Sequence, residues 1–291
     1  MMQTRHGRIE KALSGFYYVR TEDGALTECR ACGRFRREGL TPLVGDWADF
    51  TVLGEHGTVW ELAPRKNSFL RPAVSNIDIL VVLASQANPV TDPFLIDRVL
   101  SIAGDRSVPA VLCINKIDLA DGARLTAIYR HAGYDVFPTS TVTGEGIEAL
   151  HRAIAGKTVA FTGNSGVGKS SLLNCMGFSV RTGEVSEKLG RGRHTTRHVE
   201  LFHLPDGTCI IDTPGFSSFD VERMDLVIEK NLQYAFPDFA PYLGKCRYHD
   251  CVHLREPDCA VRTALDEGWI EPTRYLSYAR LYDRAKEQRA R

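Results

Sequence analysis

Several features are missing from this 291-residue chain. Its 36 Lys and Arg are matched by 36 Asp and Glu, so bulk charge alone predicts no affinity for nucleic acid. No long hydrophobic run is present. The longest, Ile77 to Ala84, is interrupted by Asp78 and falls well short of the roughly 20 apolar residues of a membrane span. Met1 to Glu10 is polar and lacks the apolar core of a secretion leader. Neither a fixed-period repeat nor a low-complexity tract occurs, which excludes solenoids and disordered arrays. These absences predict a soluble, cytoplasmic, globular protein with no membrane partner.

What remains is apolar enough, at 43% hydrophobic residues, to bury the cores of two or three domains. Charge is uneven along the chain. Met1 to Gly39 carries eight basic against five acidic residues, Arg181 to His198 five against two, and Arg274 to Arg291 six against two. Three basic segments together point to an RNA partner. The eight cysteines, read without a secretion leader, suggest core thiols or metal ligands rather than disulfides. Cys113, Cys175 and Cys209 lie in or beside apolar runs and read as buried thiols. Cys29 and Cys32 form a C-x-x-C with no second pair nearby, so they cannot close a metal site and read as incidental.

From Gly7 to Pro72, turn residues such as Ser14-Gly15, Asp23-Gly24, Gly45-Asp46 and His56-Gly57 separate five strand-like segments: Arg8 to Leu13, Phe16 to Arg20, Leu26 to Cys32, Trp47 to Leu53 and Thr58 to Leu62. Five short strands predict a small barrel, of OB type or SH3-like. Beyond Pro72 the pattern changes. Strand candidates Ile77 to Ala84, Val108 to Ile114, Tyr134 to Phe137, Thr158 to Thr162, Val199 to Leu204 and Thr208 to Ile211 alternate with helices, one starting at Asp92-Pro93. That alternation predicts a mostly parallel α/β sheet, whose ligands bind beyond the carboxyl ends of its strands. From about Met224 the chain turns helical, then Cys/His-rich, ending in a helix over Pro272 to Arg289. Tyr275, Tyr278 and Tyr282 share one face of that helix, where packing is favoured over base stacking.

Gly163, Asn164, Ser165, Gly166, Val167, Gly168, Lys169 and Ser170, followed by Ser171, form a full phosphate loop between a strand and a helix. Such a loop turns successive N–H groups toward phosphate oxygens, Lys169 neutralises the β- and γ-phosphates, and Ser170 offers a hydroxyl to Mg²⁺. Downstream, Asp212-Thr213-Pro214-Gly215 follows an apolar strand. Asp212 suits Mg²⁺ coordination through water, and Gly215 suits close approach to a γ-phosphate. Between them, the Gly-rich stretch Ser179 to His198 reads as a switch that supplies Thr195 or Thr196 to Mg²⁺.

The base site lies upstream. Asn115-Lys116-Ile117-Asp118 ends a buried strand; a carboxylate there accepts from guanine N1–H and its N2 amino group, a pattern adenine does not offer. Lys116 would lie along the base and Asn115 would tie the loop to its neighbours. Pro138 to Gly146, with Ser140, is a second strand-end loop suited to supporting the base. Near the C-terminus, Cys246, Cys251, His253 and Cys259 read C-x4-C-x-H-x5-C, three thiolates and an imidazole suited to a closed structural Zn²⁺ site. His249 is a competing imidazole.

The order guanine loop, supporting loop, phosphate loop, switch Thr, D-T-P-G resembles circularly permuted GTPases. With the barrel, the cysteine spacing and Glu256-Pro257 before the last ligand, the chain resembles the RsgA (YjeQ) family of ribosome small subunit-dependent GTPases. The resemblance implies an OB-fold RNA-binding domain over residues 1–71, a circularly permuted α/β GTPase domain over 72–223 and a mostly helical zinc-binding domain over 224–291. It also implies Mg²⁺ with GTP, one structural Zn²⁺, and contact of the barrel and C-terminal domain with small-subunit rRNA, GTP turnover releasing a monomeric protein late in subunit maturation. Many GTPases orient water with a Gln after D-x-x-G; Phe216 stands there instead, which predicts slow hydrolysis completed by a partner. His194, beside the switch threonines, is the candidate for positioning water. The rival readings are a nucleotide-gated RNA-binding scaffold with negligible hydrolysis and an ATP-using P-loop enzyme.

Overall fold

Turn chemistry divides the first part of the chain as its punctuation predicts. In a computed structural model, which describes residues 4–70, 73–177, 199–212 and 230–289, five strands form here: β1 (Thr4–Leu13), β2 (Phe16–Arg20), β3 (Leu26–Ala31), β4 (Trp47–Leu53) and β5 (His56–Leu62). They pair β1–β2, β2–β3, β3–β5, β5–β4 and β4–β1, with only β3–β5 parallel. The ring is closed, which decides for the OB-type barrel. Inward residues Ile9, Val19, Cys29, Phe50 and Val59 fill it, with Phe35 from the short helix α1 (Gly33–Arg37). Cys32, expected to end β3, instead precedes α1. Cys29 is a core residue whose thiol burial pushes up to about 12, the state of an inert thiol.

The described chain condenses into two units, one of residues 4–78, 154–161 and 199–212, the other of residues 79–153, 162–177 and 230–289. In the first, β1 pairs with β4 only from Thr4 to Arg8, and past a register shift between Ile9 and Lys11 its end pairs with β12 (Val199–His203) while staying paired with β2. A hairpin of β6 (Ser68–Leu70) and β7 (Ala73–Ser75) adjoins the barrel. β12 pairs antiparallel with β13 (Cys209–Asp212), which runs parallel to β11 (Thr158–Gly163). Asp78, the charge that interrupts the longest apolar run, is not in a strand. Its carboxylate accepts from Thr158 N at 2.9 Å and from Lys66 at 3.0 Å.

The second unit carries three parallel strands, β8 (Ile79–Ala84), β9 (Ala110–Ile114) and β10 (Val136–Pro138), in that order. All of β8 is buried, as a strand covered on both faces must be. β9 starts later than its apolar run because Pro109 has no N–H to donate; its carbonyl accepts from Leu80 N at 2.8 Å. Four helices follow: α2 (Pro93–Asp105), α3 (Ala123–His131), α4 (Ile147–Ile154) and α5 (Lys169–Cys175). Asp92 caps α2 by accepting from Phe94 N at 2.9 Å, as the Asp-Pro pair predicts. The C-terminal part contributes 3₁₀ turns at Leu232–Ala235 and Pro237–Phe239, α6 (Ala260–Asp266) and α7 (Pro272–Arg289).

Candidate nucleotide site and metal knuckle

Guanine-reading residues sit where β9 ends. Asn115 continues the strand pairing by donating its N–H to Ala84 O at 2.8 Å, and its side chain is 1% exposed. A buried amide must find partners for both ends. Nδ2 donates to Val167 O at 2.9 Å and Oδ1 accepts from Thr139 Oγ1 at 3.4 Å. One side chain therefore joins three loops: the guanine loop, its supporting loop and the phosphate loop. Gly168 has φ of 100°, and a Cβ there would strike Asn115 Nδ2. Only glycine meets both demands.

Asp118 is exposed and accepts at Oδ1 from Ser140 Oγ at 2.5 Å. Ser140 is fully buried, and its oxygen accepts from the N–H groups of Val142 and Thr143 at 3.2 and 3.1 Å. The supporting loop thus aims the carboxylate, and a carboxylate with two oxygens keeps acceptor capacity for a base. Lys116 holds its Nζ against Asn88 O at 2.5 Å.

The phosphate loop follows β11. Gly163 lets two backbones meet: a Cβ there would lie 2.8 Å from Leu83 O. Val167 N donates to Asn164 O at 3.2 Å, Ser165 and Gly166 are exposed, and Lys169, Ser170 and Ser171 open α5, the first two half-buried. A loop of this shape ending on a helix start presents N–H groups to an anion. Asp212 closes β13 in register with Glu200. His194, Thr195, Thr196, Thr213, Pro214, Gly215 and Phe216 lie outside the described residues, as does the stretch from Met224 to residue 229.

Further along, Cys246, Cys251, His253 and Cys259 bring their ligand atoms within 4.8 Å of one another. A tetrahedral ion with bonds of about 2.3 Å to sulfur and about 2.1 Å to nitrogen separates two sulfurs by about 3.8 Å and sulfur from nitrogen by about 3.6 Å. The knuckle shows 3.9 Å between the sulfurs of Cys246 and Cys259, and 3.4 to 3.5 Å from His253 Nδ1 to each sulfur. The donor set fits a metal ion such as zinc. Burial pushes the Cys251 thiol up to about 12, the cost of a thiolate that a cation would offset. His253 Nε2–H donates to Gln233 Oε1 at 2.8 Å, which turns Nδ1 toward the sulfurs. His249 is exposed and stands apart from this group.

The backbone of the knuckle is held from both sides. Glu256 accepts from the N–H groups of Val252, Leu254 and Arg255 at 3.0 to 3.1 Å. Burial raises its carboxyl, but these backbone bonds outweigh it and hold it below the usual value. On α7, Tyr275 and Tyr278 donate to the carbonyls of His253 and Val252 at 2.7 and 3.0 Å, and Tyr278 packs on Phe236 and Phe239. The tyrosine stripe is packing. Arg274, 1% exposed, bonds Asp97 on α2 at 2.6 Å and Asp238 at 2.7 Å beneath the Phe236 ring. Burial works against its charge, yet the two carboxylates outweigh it and hold the guanidinium well above its ordinary value. Gln233 and Asn88 escaped the sequence reading because each contributes one amide or carbonyl outside any motif.

A guanine loop that precedes its phosphate loop in the chain and is bonded to it in space defines a circularly permuted GTPase. Family models agree: the RsgA GTPase model matches residues 62–222 and the RsgA N-terminal domain residues 6–59. Small ribosomal subunit biogenesis GTPase RsgA of Agathobacter rectalis is 44% identical over 97% of this chain and 98% of the relative. Its counterpart in Caldanaerobacter subterraneus subsp. tengcongensis is 42% identical over 100% and 99%. Among solved structures, YjeQ from Thermotoga maritima matches with a TM-score of 0.81 at 30% identity, over 97% of this chain and 99% of that one. YloQ, a circularly permuted GTPase, matches with a TM-score of 0.77 at 34% identity, over 98% and 96%. The chain belongs to the RsgA GTPase family.

Proposed function

We propose that this chain hydrolyses GTP to GDP and phosphate in the maturation of the small ribosomal subunit, using a guanine site built around Asp118 and a phosphate site built around Lys169. The observation that carries this reading is the bond from Asn115 to Val167 O, because it makes one site of two motifs that lie far apart in the chain. Family membership disfavours the alternative of a scaffold with negligible turnover.

Within that site, Asp118 selects guanine, with Ser140 orienting it and Asn115 and Lys116 bracing the loop. N–H groups from Gly163 to Gly168 cradle the phosphates, with Ser171 completing the first turn of α5. Lys169 balances charge that builds on the phosphates as the terminal bond breaks. Ser170, and Asp212 through water, would hold Mg²⁺, which would supply charge neutralisation at the phosphates. Thr195 or Thr196 and Gly215 complete the γ-phosphate side. With Phe216 in place of a Gln, His194 is the group assigned to orient water, and the small subunit with its rRNA completes the site.

The three-domain division at residues 1–71, 72–223 and 224–291, a single structural Zn²⁺ on Cys246, Cys251, His253 and Cys259, a monomeric state and a cytoplasmic location belong to the same reading. No described helix is long and apolar enough to cross a membrane. Competition binding tests the guanine site: labelled GTP is displaced by GDP and not by ATP, with Mg²⁺ present. Displacement by ATP at similar concentration contradicts the role of Asp118.

A further inference from the structure

The first unit carries a second cysteine–histidine arrangement, apart from the nucleotide loops and the knuckle. His203 on β12 and Cys209 on β13 are direct cross-strand partners, and Cys209 is also in register with Thr158 on β11. Partners at such positions present their side chains on one face of the sheet. The Cys209 sulfur lies 3.3 Å from His203 Nδ1, and Nε2 of the same ring bonds the Glu10 carboxylate on β1. Glu10 is 5% exposed and is held by Arg20 at 2.7 Å. A carboxylate only accepts, so Nε2 carries the ring proton and Nδ1 offers its lone pair to the thiol. Across the row, Arg8 donates to Thr158 Oγ1 at 2.9 Å, with its positive charge beside Cys209. Arg8, Glu10, Thr158, His203 and Cys209 all border a cavity of about 560 Å³.

We propose that Cys209 is a reactive thiol, with His203 as its base and Glu10 as the positioning residue, that forms a mixed disulfide with low-molecular-weight disulfides entering this cavity. Nδ1 of His203 takes the thiol proton as the sulfur attacks one sulfur of the small disulfide. The S–S bond of the reagent breaks as the new Cys209–sulfur bond forms, and the departing thiolate takes the proton from His203. The exchange needs no oxidant beyond the disulfide itself.

Outside the knuckle, Cys29, Cys113 and Cys175 lack this equipment. Cys29 and Cys113 are fully buried, against 9% exposure for Cys209, and each of their thiols is pushed up to about 12. Cys175, expected to be buried, is exposed at the end of α5, with a backbone carbonyl, Thr141 O, as its partner at 3.6 Å. For Cys209, burial also pushes the thiol up while Arg8 pulls it back, so the base decides whether it reacts near neutrality. Charged groups around the pair are Arg8 and Glu10 on β1, Arg20 on β2 behind Glu10, and Asp78 with its partner Lys66. Arg8 favours the thiolate, whereas Glu10 and Asp78 oppose it.

The test uses the full-length, metal-loaded chain and does not depend on the nucleotide reading. The protein is exposed to 4,4′-dithiodipyridine between pH 5.5 and 9, and labelled cysteines are mapped by mass spectrometry. Cys209 should react about tenfold or more faster than Cys29 and Cys113 at pH 7. His203→Gln should slow Cys209 by about tenfold and move the rise in rate to higher pH, with the melting temperature kept. Equal rates for Cys209 and Cys29, or an unchanged pH profile in His203→Gln, would overturn the assignment.

Discussion

The guanine loop and the cysteine knuckle lie in the same compact unit, and both are made of polar side chains fixed by hydrogen bonds, yet they differ in what they leave open. In the knuckle all four donor atoms point at one another within 4.8 Å, and backbone around them is held by Glu256, Tyr275 and Tyr278. A site saturated by its own protein is structural. In the guanine loop the buried members, Asn115 and Ser140, are bonded to protein groups, while the Asp118 carboxylate that they support is exposed. Rigid support beneath one exposed group is the arrangement of a binding site. The comparison teaches that substitutions in the knuckle should read out as stability, and substitutions at the exposed guanine residue as ligand choice.

Metal removal gives the largest expected effect. Cys251→Ala should abolish stoichiometric metal binding and unfold the C-terminal part, since a structural zinc supplies about 10 kcal/mol or more of folding free energy. Loss of metal with unchanged melting would erase the distinction between the two regions. Next comes Arg274→Met, which leaves the buried carboxylates of Asp97 and Asp238 without their cation. A cost of about 3 to 5 kcal/mol is expected from denaturant unfolding, and a loss below about 1 kcal/mol would show that the ion pairs do not lock α7 to α2.

Asp118→Asn is the counterpart on the open side. Affinity for GTP should fall by about a hundredfold and xanthosine triphosphate should bind better than GTP, because the amide donates to the 2-oxo group where guanine carries an amine. Melting without nucleotide should not move, and a large drop would reassign Asp118 to structure. The smallest effect belongs to Glu256→Gln, with metal retained and a slightly lower melting temperature at pH 7. Because the folded-state carboxyl is held below its ordinary value, its contribution is present above about pH 4.3 and lost as pH falls through the folded value. Wild type and variant should therefore converge in acid; a gap that widens there contradicts this role.

Much of this was legible in the sequence because local rules dominate. Ser14-Gly15 and Asp23-Gly24 end strands, Asp92-Pro93 starts a helix, and Gly163 to Ser170 needs only a strand before it and a helix after it. What escaped depends on distant residues. The pairing of the end of β1 with β12 requires a partner strand more than 180 residues away. Asp78 looked like a flaw in an apolar run until Thr158 and Lys66 were seen to satisfy it. Gln233, which sets the tautomer of His253, stands 20 residues upstream in a 3₁₀ turn without a signature. Cys209 is buried as its apolar run predicts, but its partners were not legible, because the imidazole and carboxylate beside it arrive from β12 and β1. Side chains that act alone at a strand end announce themselves, whereas those that act through a neighbour need the fold.

Single-turnover hydrolysis of GTP, measured with and without purified small ribosomal subunits, tests the central claim most directly. The account predicts slow conversion to GDP by the protein alone, marked acceleration when subunits are added, and no comparable conversion of ATP. GTP that binds yet is not hydrolysed even with subunits present would contradict it.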